Sequence, residues 1–115
     1  MGLEISIHNE TDHVVMNLNG RIDLSSNPYF IKILNEVLLF SKPLIVLDFS
    51  HVTFISSVGI GAIIEGKTYN ENNGSRFILT GLSERLFQVF ELIGAINPKD
   101  FVPSLPDAIQ LLHVP

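Results

Sequence analysis

Apolar and polar positions alternate twice near the start of the chain. Leu3, Ile5 and Ile7 interleave with Glu4, Ser6 and His8, and Val14, Met16 and Leu18 interleave with Val15, Asn17 and Asn19. A period of two predicts half-buried strands. The polar stretch Asn9-Glu10-Thr11-Asp12 between them predicts a β-hairpin, with Gly20 closing the second strand. The period then changes. Phe30, Ile33, Leu34, Val37 and Leu38 follow helical spacing after Asn27-Pro28, which reads as an N-cap followed by proline at the first helical position. Ser41-Lys42-Pro43 ends that helix.

Leu44-Ile45-Val46-Leu47 is a continuous apolar run, which predicts an interior strand covered on both faces. A second helix is expected from Ser56-Ser57, with Ile60, Ile63 and Ile64 inward, up to the turn Asn72-Asn73-Gly74. Phe77-Ile78-Leu79 reads as a strand. Leu82, Leu86, Val89, Phe90 and Ile93 read as a helix capped by Gly94, with Phe87 between the core positions and open to a partner. Phe101-Val102 is a short last strand. Ser104 with Asp107 opens a last helix bearing Ala108, Ile109 and Leu112. The order β-β-α-β-α-β-α-β-α predicts an α/β fold with a mixed sheet and helices mainly on one face. A chain of 115 residues without linker or repeat suits one domain, residues 1–115.

Composition narrows the partners. The formal charge is −5, and the seven Lys and Arg residues are scattered. Neutralising nucleic-acid phosphates or an anionic membrane surface needs a basic patch, so a basic protein surface is the better partner. The chain has no cysteine, and His8, His13, His51 and His113 are too dispersed for a metal site. Neither a signal peptide nor a run near the roughly 18–20 apolar residues of a membrane span is seen, so a cytoplasmic protein without membrane insertion is expected.

Candidate chemistry gathers in one segment, from Leu47 to Gly61: Leu-Asp-Phe-Ser-His-Val-Thr-Phe-Ile-Ser-Ser-Val-Gly-Ile-Gly. Two hydroxyls stand before a helix whose first turns carry Gly59 and Gly61. Each helical glycine costs about 1 kcal/mol relative to alanine, so close backbone approach is expected there, either to the sheet or to a partner. A serine at this place is a favoured N-cap; an exposed one is also a site that tolerates phosphate, because helix N-termini attract anions. Asp48, His51 and Ser57 have the residue types of a nucleophilic triad, but Ile55 stands where a nucleophile elbow needs glycine. Gly59-x-Gly61 lacks the third glycine of a dinucleotide loop, because Ile64 occupies its place. No enzyme and no cofactor is expected.

The same segment resembles the signature of the STAS family, the sulfate transporter and anti-sigma factor antagonist domains. Gly20-Arg21-Ile22-Asp23 resembles that family's Gly-x-Leu-Asp, and Gly74 through Gly94 resembles its next strand, helix and terminal glycine. The resemblance implies an anti-sigma factor antagonist. It would bind an anti-sigma factor that is also a serine kinase and so free a sigma factor. Phosphorylation of Ser57, or alternatively Ser56, would switch it off, and a PP2C-type phosphatase would restore it. Asp23, Ser56, Ser57, Gly59 and Gly61 are the implied partner-binding residues. The chain departs from the family pattern at Ser56, where an acid is usual, and at Val58, where a second serine is usual. Other uses of the family's fold are an accessory subunit of a lipid or solute transporter and a non-phosphorylated scaffold of a stress-signalling complex.

Overall fold

A computed structural model of the chain describes residues 2–94 and 97–113. Strands β1 (Leu3–Asn9) and β2 (His13–Ile22) form the expected antiparallel hairpin, in continuous register from Leu3 opposite Gly20 to Asn9 opposite Val14. Helix α1 (Asn27–Leu38) leads to β3 (Leu44–Ile55), α2 (Ser57–Asn72) to β4 (Arg76–Thr80), and α3 (Glu84–Ile93) to β5 (Phe101–Val102). A short α4 (Leu105–Gln110) follows. The strands lie side by side in chain order, with the last three pairings parallel.

This order explains where the helices sit. Successive crossovers move in one direction across the sheet, and right-handed connections then put every connecting helix on the same face. Phe30, Leu34 and Val37 of α1, Ile60 and Ile63 of α2, and Leu86 and Phe90 of α3 all pack with Val14, Met16, Ile45, Leu47, Phe77 and Leu79. The alternate residues Val15, Val46 and Ile78 point the other way and are covered by Ala108 of α4. Helices mainly on one face is therefore what the chain adopts. The run Leu44–Leu47 is fully buried because both of its faces are roofed. Edge-on ring contacts Phe49–Phe90 at 6.2 Å, Phe90–Phe101 at 5.6 Å and Phe87–Phe101 at 5.1 Å tie α3 and β5 to the sheet. Phe87 is thus half-buried against Phe101 rather than open to a partner.

Two strand ends differ from expectation. Gly20 does not close β2, which continues to Ile22. Its φ of +121° bends the strand, and a Cβ there would run into the carbonyl oxygen of Gly2. The apolar run at Leu44 opens a strand that continues to Ile55, so Asp48 and His51 are strand residues. Helix α1 likewise has Ser26, not Asn27, at its N-cap.

Candidate functional site

Strands β2 and β3 end together, with Ile22 opposite Ile55. The backbone N–H of Ser56 donates to the carbonyl of Ile22 over 2.7 Å, which fixes the start of α2 beside the loop that follows β2. Crevices at the C-terminal ends of parallel strands are where α/β sheets place binding sites.

The two serines at this junction have different surroundings. Ser56 is the N-cap of α2. Its Oγ accepts the N–H of Gly59 at 3.0 Å and donates to Oδ1 of Asn27 at 2.8 Å. Asn27 is buried, so the Ser56 hydroxyl is committed on both sides. Ser57 occupies the first helical position and is exposed. Among the described residues its hydroxyl has no hydrogen-bond partner. The N–H groups of Ser57 and Val58 are also free there, whereas those of Gly59 and Ile60 are taken by Ser56. A free hydroxyl beside two free N–H donors at a helix N-terminus is a place where a phosphate fits without displacing any existing bond.

The glycines divide in the same way. A Cβ on Gly59 would lie 2.8 Å from Cγ2 of Ile22 and 3.1 Å from Cγ1 of Ile55, so Gly59 lets the helix rest on the strand ends. A Cβ on Gly61 would meet nothing within 4 Å. The close approach expected of both glycines is made to the sheet by Gly59; Gly61 leaves backbone open at the surface.

Asp23 organises the neighbouring loop. Its Oδ1 accepts from the hydroxyl of Ser25 at 2.8 Å and from the backbone N–H groups of Ser25 at 3.1 Å and Ser26 at 3.3 Å. The Ser25 hydroxyl, then these backbone donors, hold the Asp23 carboxyl below its ordinary pKa. Ser26 is fully buried and donates to the carbonyl of Arg21 at 2.6 Å. Loop and helix start are thus both pinned, and apolar side chains stand out between them. Leu24 is 89 % exposed and Val58 55 %. Phe54, also exposed, carries the Arg21 guanidinium over its ring at 4.5 Å. Arg21 Nε also lies 3.4 Å from Asp23 Oδ2.

Sequence reasoning thus marked Asp23, Ser56, Ser57, Gly59 and Gly61, and the fold gathers all five at the joined ends of β2 and β3. It missed Leu24, Phe54 and Asn27. An exposed leucine between Asp23 and two serines was the available signal for Leu24; the role of Asn27 needed tertiary contacts. The triad does not assemble. Asp48 lies in the same strand seven residues before Ile55, roughly 23 Å away at strand rise. Its carboxylate is occupied by the hydroxyl and N–H of Ser50 at 2.6 Å and 2.9 Å.

Among known proteins, an anti-sigma-B factor antagonist of Listeria monocytogenes is 28 % identical over 95 residues, covering 82 % of this chain and 83 % of its own. The crystal structure of an anti-sigma factor antagonist from Mycobacterium paratuberculosis superimposes with a TM-score of 0.86 at 21 % identity, over 96 % of this chain and 94 % of the other. The Bacillus cell fate determinant SpoIIAA in its phosphorylated form gives 0.75 at 20 %, over 95 % and 99 %. At these identities the two structures speak for the fold. The family model of the STAS domain matches residues 4–108, and the chain belongs to that family.

Proposed function

We propose that residues 1–115 act as a single STAS domain serving as an anti-sigma factor antagonist, with Ser57 as its phosphorylation site. Unphosphorylated, the surface around Asp23, Ser56, Ser57, Gly59 and Gly61 binds an anti-sigma factor that is also a serine kinase. Phosphorylation of Ser57 ends that binding, and a PP2C-type phosphatase reverses it. The observation that carries this reading is the contrast between a partly buried, doubly bonded Ser56 and an exposed, unbonded Ser57, on a junction that also exposes Leu24 and Val58. Phosphate there adds about −1.5 to −2 charges to a surface a partner must bury, while the helix N-terminus keeps the fold intact. The name of the Listeria relative supports the same reading, as does the existence of a phosphorylated SpoIIAA. The formal charge of −5 suits a basic protein surface.

The test is to incubate the protein with its cognate anti-sigma kinase and ATP and to map phosphate by mass spectrometry. Phosphate is expected on Ser57 and not on Ser56. Ser57→Asp should weaken kinase binding at least tenfold with the far-UV CD spectrum unchanged, and Ser57→Ala should bind and resist the switch. A chain that binds the kinase but takes no phosphate on Ser57 would sink the switch. A chain that instead co-purifies with a transporter ATPase would favour the accessory-subunit role.

A further inference from the structure

One sheet edge is unusually well suited to meet itself. Strand β1 lies at the end of the sheet and runs seven residues in unbroken register, without proline. The opposite edge, β5, is two residues long. The hydrogen-bond parity of β1 follows from its ends. The N–H of Arg21 donates to the carbonyl of Gly2 at 2.7 Å, and the N–H of Glu10 to the carbonyl of His13 at 2.9 Å. In this antiparallel register the even-numbered residues therefore exchange their backbone bonds with β2. Leu3, Ile5, Ile7 and Asn9 aim N–H and C=O at the open edge.

We propose that β1 is a self-recognition strand, pairing antiparallel with β1 of a second copy about a two-fold axis at Ser6. The sequence Leu3-Glu4-Ile5-Ser6-Ile7-His8-Asn9 is complementary to its own reverse. With Ser6 opposite Ser6 of the second copy, Ile5 faces Ile7 and Leu3 faces Asn9. These are the residues with outward backbone groups, so each such pair exchanges hydrogen bonds. Glu4 then faces His8 at the non-hydrogen-bonded positions, where opposed Cα atoms come within about 4.5 Å and side chains are closest. Both Glu4 and His8 are exposed, and Ile7 is 37 % exposed on the face that carries the helices. The carboxylate accepts from the imidazole twice per dimer, once at each end of the ladder. Sliding the pairing by one residue in each copy loses this match. In one direction Glu4 meets Ser6; in the other it meets Glu10, a like charge.

Pairing of this kind extends one sheet across two copies and keeps the helices of both on the same side. Seven residues of edge bury an area at the low end for specific interfaces, so the dimer is weak and depends on concentration. This inference stands apart from the phosphorylation reading, because it uses only β1.

Sedimentation equilibrium and amide hydrogen exchange on the full chain test it, from micromolar up to about 1 mM, where the weakest specific dimers still form. A monomer–dimer equilibrium is expected. The amides of Ile5 and Ile7 should gain protection with concentration, while that of Ser6, already bonded to β2, should not change. Glu4→Lys and His8→Glu should each weaken the dimer about 3- to 10-fold, and the two together should restore it. A chain that stays monomeric throughout overturns the proposal. So does a dimer whose Ile5 and Ile7 amides exchange as fast as in the monomer, or charge variants whose effects simply add.

Discussion

Ser56 and Ser57 are neighbours of the same type, and only their bonds separate them. Ser56 accepts from Gly59 and donates to Asn27, which is 6 % exposed. Its removal loses a helix cap, about 1 kcal/mol, and leaves a buried amide oxygen without a donor, a further cost of about 1 kcal/mol or more. Ser56→Ala should therefore lower the unfolding free energy by about 2 kcal/mol. Ser57→Ala removes an exposed hydroxyl with no partner among the described residues and should change stability by less than about 0.5 kcal/mol. Urea denaturation of the two variants decides the matter. Equal losses would mean that Ser57 is also structural, and the division between cap and switch would fail. This division was not legible in the sequence. Spacing placed both hydroxyls at a helix entrance, but Asn27, the group that distinguishes them, lies 29 residues away in the chain.

Among the elements, those with a clean period were the legible ones. The hairpin, α1, the buried start of β3, and the capped ends of α3 and α4 follow the sequence pattern. Ser104 accepts the expected helix N–H bond, and Gly94 adopts the left-handed cap. Strand β3 was harder for a physical reason. It is two residues longer than its β2 partner, with register shifts after Asp48 and after Val52. Each extra residue inverts the alternation, so the apolar pattern breaks off after Leu47 although the strand runs on to Ile55. Helix α2 carries Gly59, Gly61 and Gly66, so its formation relies on packing more than on propensity. The first two glycines should then respond oppositely. Gly59→Ala forces a methyl between Ile22 and Ile55 and should destabilise by about 1–2 kcal/mol, the packing strain exceeding the helix gain. Gly61→Ala meets open space and should stabilise by up to about 1 kcal/mol. If Gly61→Ala also weakened kinase binding, Gly61 would belong to the contact surface; equal stability changes at the two sites would contradict the packing described.

At the scale of the molecule, one polar tie joins parts that the sequence cannot relate. Lys67, in the middle of α2, places Nζ 2.6 Å from Glu71 and 2.9 Å from Asp100, in the turn before β5. Asp100 is 5 % exposed, and its contact with Lys67 is an ion pair rather than an aligned hydrogen bond. Partial burial alone would lower the Lys67 pKa, but the contacts with Glu71 and then Asp100 outweigh it and raise it. The tie bridges α2 and the segment leading into the edge strand β5, which has only two residues of ladder to hold it. Lys67→Met keeps the apolar stem and leaves a buried carboxylate unpaired. The expected loss is about 2 kcal/mol, between the values for exposed pairs and for fully buried ones. The sign of the pH dependence follows from the raised pKa. The contribution of Lys67 is complete below the ordinary lysine pKa, about 10.4, and fades as pH rises through the higher folded-state value. Denaturant midpoints of the parent chain and of Lys67→Met should thus differ at pH 7 and converge once the pH has risen past the raised lysine pKa. A Lys67→Met chain as stable as the parent at pH 7 would show that Asp100 is held by its surroundings without the lysine. A difference that persisted undiminished above that pKa would show that the stem of Lys67, and not its charge, supplies the stability.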